Sequence, residues 1–226
     1  MPAPAFDPKS LPIVAVAAEP APALSTLSAA GLRERFTHPR AWHPETNDSE
    51  RWRHRLSNPV AASVLIGIVV RASGLAVLLT QRTAHLNDHA GQISFPGGRA
   101  ELVDASPIET ALRETEEEIG LARAQVEVLG QLPDYFTGTG YRVTPVVALV
   151  REPFELVPDP FEVDEVFEVP LAYLMDPANH QVRRLALDEG ERQFYAIPYE
   201  KRFIWGATAG MLRNFYRFLS APDAAA

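Results

Sequence analysis

The chain has 226 residues, 46% hydrophobic and 22% charged, with no cysteine and a formal net charge of −8. That supplies a core for one large domain and excludes global disorder, a disulfide framework, a thiolate metal site and a cysteine nucleophile. The acidity argues against a general polyanion binder, so no nucleic-acid partner is expected.

Residues 1–30 are rich in alanine and proline and read as an extension. A single domain over 31–220 and a short tail, 221–226, follow. Leu11–Ala18 has the apolar character of a signal-peptide core, but Asp7 cancels Lys9 before it and Glu19-Pro20 follows at once. The longest apolar run, Pro59–Val70, is broken by Ser63 and Gly67 and falls well short of the ~20 residues that cross a bilayer. A cytoplasmic protein without a membrane partner is expected, with monomer and homodimer both open.

Leu24–Phe36 predicts a helix. A loose basic cluster then runs from Arg33 and Arg35 through His38 and Arg40 to Arg51, Arg53, His54 and Arg55; a solvated surface is its ordinary reading. Val60–Arg71 and Leu75–Thr80 are rich in β-branched residues and read as a hairpin joined at Ser73-Gly74. Gly91–Pro96 is a short extended segment that Gly97-Gly98 stops. Val126–Gly130 and Arg142–Val150 predict strands joined by the turn-rich loop Asp134–Gly140, and Val163–Val169 and Phe194–Pro198 predict two more. Trp205–Leu219 carries apolar residues at helical spacing. The pattern is that of an α/β (α+β) chain, a mixed sheet sandwiched between helices.

One further helix carries the candidate chemistry. Ser106-Pro107-Ile108-Glu109 reads as a capping box with proline at the first helical position, and Gly120 is a left-handed stop. Ile108, Ala111, Leu112, Thr115 and Ile119 project within about 60° of one direction and form the buried stripe. Glu114 and Glu118 lie one turn apart on a flank, with Glu117 beside them. Carboxylates in a last turn each cost ~0.3–1 kcal/mol against the helix dipole, and the like-charge pair adds a few tenths more. Arg113 offsets only part of this. A solvated acidic face and a divalent-cation site are both open on this helix alone, since Mg²⁺ prefers clustered carboxylate oxygens.

The segment that begins at Gly98 and ends in Arg113-Glu114-Thr115-Glu116-Glu117-Glu118-Ile119-Gly120-Leu121 resembles the Nudix box. That pattern runs glycine, five residues, glutamate, seven residues, Arg-Glu-x-x-Glu-Glu-x-Gly and an aliphatic residue. The second half fits throughout. In the first half Asp104 replaces glutamate, and the interval to Arg113 is one residue longer. The resemblance implies a Nudix fold and a pyrophosphohydrolase. Gly98 would offer its carbonyl, and Glu114, Glu117 and Glu118 would bind Mg²⁺ or Mn²⁺. Arg113 would orient a glutamate. A further glutamate from a later loop would act as base or ligand; Glu162 is the candidate and Glu165 its competitor.

A second resemblance, to coenzyme A pyrophosphatases, rests on Leu78-Leu79-Thr80-Gln81-Arg82, on His89–Gly98 and on Ile204–Ala209. It implies a small-molecule substrate, coenzyme A or a related nucleotide diphosphate, cleaved to 3′,5′-ADP and 4′-phosphopantetheine. Arg82 is the candidate phosphate contact. The Arg51–Arg55 cluster is a candidate clamp for a 3′-phosphate, and Trp42, Phe136 or Tyr141 could stack adenine, though packing is the ordinary role of each. Thr83 and Asn87 depart from the signature, which has serine or alanine and arginine there. The same box would serve a hydrolase of NADH or ADP-ribose. It would also fit a regulator that binds a nucleotide without cleaving it, against which stand the three helix glutamates and the lack of a basic helix-turn-helix segment.

Overall fold

A computed structural model describes residues 7–45, 53–84, 91–187 and 190–222. The elements in chain order are β1 (Ile13–Val16), α1 (Ala29–Thr37), β2 (Val60–Arg71), β3 (Gly74–Arg82), β4 (Ile93–Ser94), β5 (Gly97–Arg99), α2 (Pro107–Ile119), β6 (Val126–Gln131), β7 (Tyr135–Phe136), β8 (Tyr141–Val150), β9 (Val163–Pro170), α3 (Leu171–Leu174), β10 (Gln181–Leu187), β11 (Gly190–Tyr199), β12 (Arg202–Trp205) and α4 (Ala207–Ser220).

The larger sheet runs β4-β3-β2-β8-β6, with β5 paired to β2, β7 to β8 and β9 to β3. It is mixed, because β2 and β8 are parallel while their other neighbours are antiparallel. Both faces are covered, so the central strands read as nearly continuous apolar runs. Leu65 and Val69 of β2, Leu78 of β3 and Val146, Ala148 and Val150 of β8 pack under α2, through Ala111 and Ile119. The alternate residues Ile66, Ile68, Val77, Leu79, Val147 and Leu149 face the opposite way, toward α4. Each such side chain, fully buried, contributes ~1.5–3 kcal/mol. The sheet is thereby pinned on both sides, and its β3 and β5 ends are held rigidly beside α2.

The helix expected from Leu24 begins only at Ala29, where Ser28 caps it, and the expected loop Asp134–Gly140 contains β7. Gly97-Gly98 does not stop a strand: residues 97–99 are themselves β5, paired with Ala62–Val64. A second, four-stranded antiparallel sheet, β1-β10-β11-β12, stands beside the first. Its β10 escapes the apolar pattern because Arg183 is buried within it. The guanidinium lies over the Phe203 ring at 5.0 Å and donates to the Lys9 and Leu11 carbonyls at 2.8 and 2.6 Å. Those bonds draw Ile13–Val16, inside the Ala/Pro-rich stretch, into the sheet as β1. Among the described residues no helix is long and apolar enough to cross a membrane.

Candidate active site

Helix α2 is built as its sequence dictates. Ser106 Oγ accepts from the Glu109 N–H at 3.3 Å, Pro107 opens the first turn, and Gly120 closes the last at φ 70°. The Glu109 carboxylate accepts from Arg123 at 2.7 Å, and Glu116 from the same guanidinium at 3.2 Å. The acidic outer face is thus paired with a basic residue just past the helix. Thr110, not on the expected stripe, is buried with its hydroxyl bonded to Asp104 Oδ2 at 3.0 Å.

The three motif glutamates part company. Glu118 is buried at 5% exposure; its Oε2 accepts from the Gly97 N–H at 3.0 Å, and its Oε1 lies 3.5 Å from Arg82 Nη1. Burial pushes its carboxyl up to about 7, against the favourable Gly97 bond and Arg82 charge, and Glu162 and Glu114 push it the same way. Glu114 is raised too, again chiefly by burial, with Arg113 opposing and Glu117 and Glu162 adding to the rise. Glu117 turns outward, its Oε2 on Arg113 at 2.8 Å. Among the described residues no three acidic or histidine side chains converge as a ready-made ligand set.

Gly98 is the close-approach position. A Cβ there would stand 2.3 Å from Glu114 Oε2, so the carboxylate rests directly on the glycine backbone. Gly98→Ala is therefore expected to fold, because a flexible carboxylate can move aside, yet to lose more than about tenfold in turnover. Gly97→Ala meets the Ser63 carbonyl at 2.3 Å from a φ of +148°, and is expected to lower the melting temperature instead. Melting curves and initial rates on the two variants separate the effects.

Arg113 is the hub of the site. Its Nε and Nη2 form a fork on Asp104 Oδ1 and Oδ2, both at 2.9 Å; Nη1 reaches Glu114 at 2.9 Å and Glu117 at 2.8 Å, and Nη2 also donates to the Arg99 carbonyl at 3.0 Å. The aspartate in place of glutamate and the extra loop residue thus still deliver a carboxylate to the arginine. Its guanidinium holds the Asp104 carboxyl well below the usual carboxylate range.

Between the two late-loop candidates the geometry differs. Glu165 is taken by Arg202, whose guanidinium stacks on Phe167 at 4.1 Å. The Glu162 charge adds to the upward shift of both Glu114 and Glu118, and its loop is bonded to the end of α2 through the Val157 and Asp159 N–H groups. Glu165 lies within β9, opposite Gln81, whereas Glu162 lies in the loop just before the strand, which opens on a bulge with Arg82 opposite Val163. Arg82 reaches α2 at Glu118, with its Nε buried and without a partner.

The remaining candidates lie elsewhere. Trp42 packs edge-on against Phe218, at 5.7 Å, in the core. Arg53 lies 5.9 Å over Phe136, and Arg99 5.7 Å over Tyr141. Asn87, Arg51 and His89 lie outside the described residues.

The donor set suits a hard divalent cation. Two carboxylates, Glu118 buried and Glu114 half-buried, stand side by side at a cost that shows in their raised protonation, and the Gly98 backbone lies against one of them. Residues 62–190 match the NUDIX domain family. The chain is 42% identical over 153 residues, 68% of its length and 79% of the relative's, to a protein of Escherichia coli K12 named "Uncharacterized Nudix hydrolase NudL". The counterpart in Shigella boydii serotype 18 matches equally. Among solved structures, the Nudix hydrolase RenU from M. Smegmatis is similar with a TM-score of 0.43 and 26% identity, over 50% of this chain and 72% of that one. A MutT/nudix family protein from Enterococcus faecalis gives 0.44 and 17%, over 84% and 74%. The chain belongs to the Nudix family, and it is a Nudix hydrolase with a mixed α+β fold.

Proposed function

We propose that the chain hydrolyses the 5′-diphosphate of coenzyme A or its derivatives, giving 3′,5′-ADP and 4′-phosphopantetheine. The observation that carries the hydrolytic part is buried Glu118 and half-buried Glu114 packed on Gly97-Gly98, with Arg82 alongside. The coenzyme A part is supported by the similarity of Leu78–Arg82, His89–Gly98 and Ile204–Ala209 to that subfamily. A cytoplasmic setting, as monomer or homodimer, belongs to the same reading.

Glu114 and Glu118, with the Gly98 carbonyl, would hold Mg²⁺ or Mn²⁺, and Glu117 would join them by turning inward from its bond to Arg113. Such an ion, when bound, neutralises charge on the diphosphate and lowers the pKa of a water. The chain's own residues do the rest. Arg82, with an unmet Nε and one loose contact, has donors to spare for a phosphate oxygen. Glu162 accepts a proton from the attacking water; the water oxygen bonds to phosphorus as the bridging P–O bond breaks, and its electron pair leaves on the second phosphate. Arg113 keeps Glu114 oriented. An acidic protein can in this way take an acidic substrate.

The test is kcat/KM for coenzyme A, NADH and ADP-ribose with Mg²⁺ and with Mn²⁺, with products identified. Coenzyme A is expected to lead. A tenfold preference for ADP-ribose removes the coenzyme A assignment, and nucleotide binding without cleavage of any of them removes the enzymatic one.

A further inference from the structure

The loop that carries Glu162 is fixed at two places. Toward α2, the Val157 and Asp159 N–H groups donate to the Ile119 and Glu118 carbonyls at 2.8 and 2.9 Å, and the Asp159 carboxylate and carbonyl then accept from the N–H groups of Phe161, Glu162 and Val163. Toward β3, among the described residues, Thr83 makes two bonds to the loop. The Thr83 N–H donates to the Glu162 carbonyl at 3.0 Å, and the Thr83 hydroxyl donates to the Phe161 carbonyl at 2.8 Å. Thr83 is only 6% exposed, and it is the residue next to Arg82. Two consecutive carbonyls of the loop are therefore gripped from the strand end that also presents Arg82 to Glu118.

We propose that Thr83 is a positioning residue that sets Glu162 against Glu114 and Glu118 through its hydroxyl. The inference rests on the reading of Glu162 as the group that accepts the water's proton. A peptide plane bonded at its carbonyl loses a rotational freedom, and the Phe161 carbonyl belongs to the plane directly before Glu162's own. Without the hydroxyl bond that plane is held only at its other edge, by the Glu162 N–H on the Asp159 carbonyl at 3.1 Å, and can tilt and shift the Glu162 Cα; a misplacement of about 1 Å at a reacting group can cost on the order of 10²-fold. Phe161 itself is 74% exposed, so burial of its ring does not hold this part of the loop. The backbone bonds must do so.

Thr83→Val keeps the shape and the N–H bond and removes only the hydroxyl. With Mg²⁺ and whichever of coenzyme A, NADH and ADP-ribose is cleaved fastest by the wild type, its kcat is expected to fall about tenfold with KM changed less than about twofold. Thr83→Ser, which restores the donor, is expected to recover most of that loss. Thr83→Ala serves as the second variant if the valine folds poorly, and melting curves on all three monitor folding. The decisive readout is the cycle with Glu162→Gln. In that background Thr83→Val should have almost no further effect on kcat, because the group it positions is gone. A large loss from Glu162→Gln with Thr83→Val multiplying it independently, or with no loss from Thr83→Val alone, overturns the positioning role and leaves the reading of Glu162 intact. No loss from Glu162→Gln overturns that reading, and the positioning role falls with it.

Discussion

Glu118→Gln is expected to lose turnover by about 10³-fold while folding normally, and to melt higher than the wild type in EDTA at pH 8. The loss follows from removing a buried charge that a divalent ion would need: Lewis-acid stabilisation contributes several kcal/mol, and each 1.36 kcal/mol is about tenfold in rate. The gain in stability follows from burial. The Glu118 carboxyl titrates at about 7 in the folded chain against 4.5 ordinarily. Between those values the folded state holds a proton that the unfolded state has released, so this group's contribution to stability falls as pH rises through the window. By pH 8 the difference amounts to about 3 kcal/mol, and glutamine, which carries no charge, escapes it. At about 2–4 °C per kcal/mol for a chain of this size, the variant should melt several degrees higher. At pH 4 to 5 the wild-type side chain is protonated more easily in the fold, and the advantage should shrink toward zero. Melting in EDTA at the two pH values checks this; a variant that melts lower at pH 8, or an advantage independent of pH, contradicts it. Retention of wild-type kcat would falsify the role of Glu118 in turnover.

Arg113→Ala has the largest expected effect on folding. The guanidinium binds Asp104 through a fork of two bonds and also contacts Glu114, and the side chains of both are mostly buried, at 4% and 18% exposure. Removing the arginine leaves two carboxylates in a poorly solvated place with no counter-charge, which costs about 3–5 kcal/mol. A fall in melting temperature on the order of 10 °C is expected. Activity should fall with it, because Glu114 loses the bond that orients it. Asp104→Asn is expected to be milder, since Arg113 keeps Glu114 and Glu117. Its pH profile should also differ. The Asp104 carboxyl is held below its ordinary 3.8, so the wild type gains stability from it above that value and loses the gain as pH falls toward the folded-state value. In Asp104→Asn that acid-side loss should be smaller. If Arg113→Ala melts within a degree or two of wild type, Arg113 does not hold the site together.

The helix was almost wholly legible in the chain because every signal at its ends is local. Ser106-Pro107 and Gly120 mark the observed Pro107–Ile119, and the hydrophobic spacing of Val60–Arg71 marks β2 to the residue. What local patterns could not supply is direction. Glu117 and Glu118 are adjacent letters in one motif, yet a turn of about 100° sends one to the Gly97 N–H and the other toward solvent. Which of the two is buried depends on where β5 lies, and β5 rests on a glycine pair whose sequence reads as a break. In the same way Glu162 and Glu165 are equivalent as written. The start of β9 at Val163 leaves Glu162 in the loop and Glu165 in the strand, where Arg202 takes it, and nothing in residues 160–166 marks that boundary.

The second sheet was least legible, for an energetic reason. Buried Arg183 makes β10 look like a surface segment, and its bonds to the Lys9 and Leu11 carbonyls and to Gln181 Oε1 make that burial tolerable. Thr83 stands out in sequence as a departure from the coenzyme A signature, but its two bonds to the Glu162 loop span nearly eighty residues and are visible only in the fold.

Glu114, Glu118 and the Gly98 backbone are expected to take up a divalent cation between them. Anomalous diffraction from crystals soaked in millimolar MnCl₂ asks this directly. A manganese peak within bonding distance of carboxylate oxygens of Glu114 and Glu118, lost in Glu118→Gln crystals, is the predicted result. No manganese there, together with hydrolysis that continues undiminished in EDTA, would contradict it.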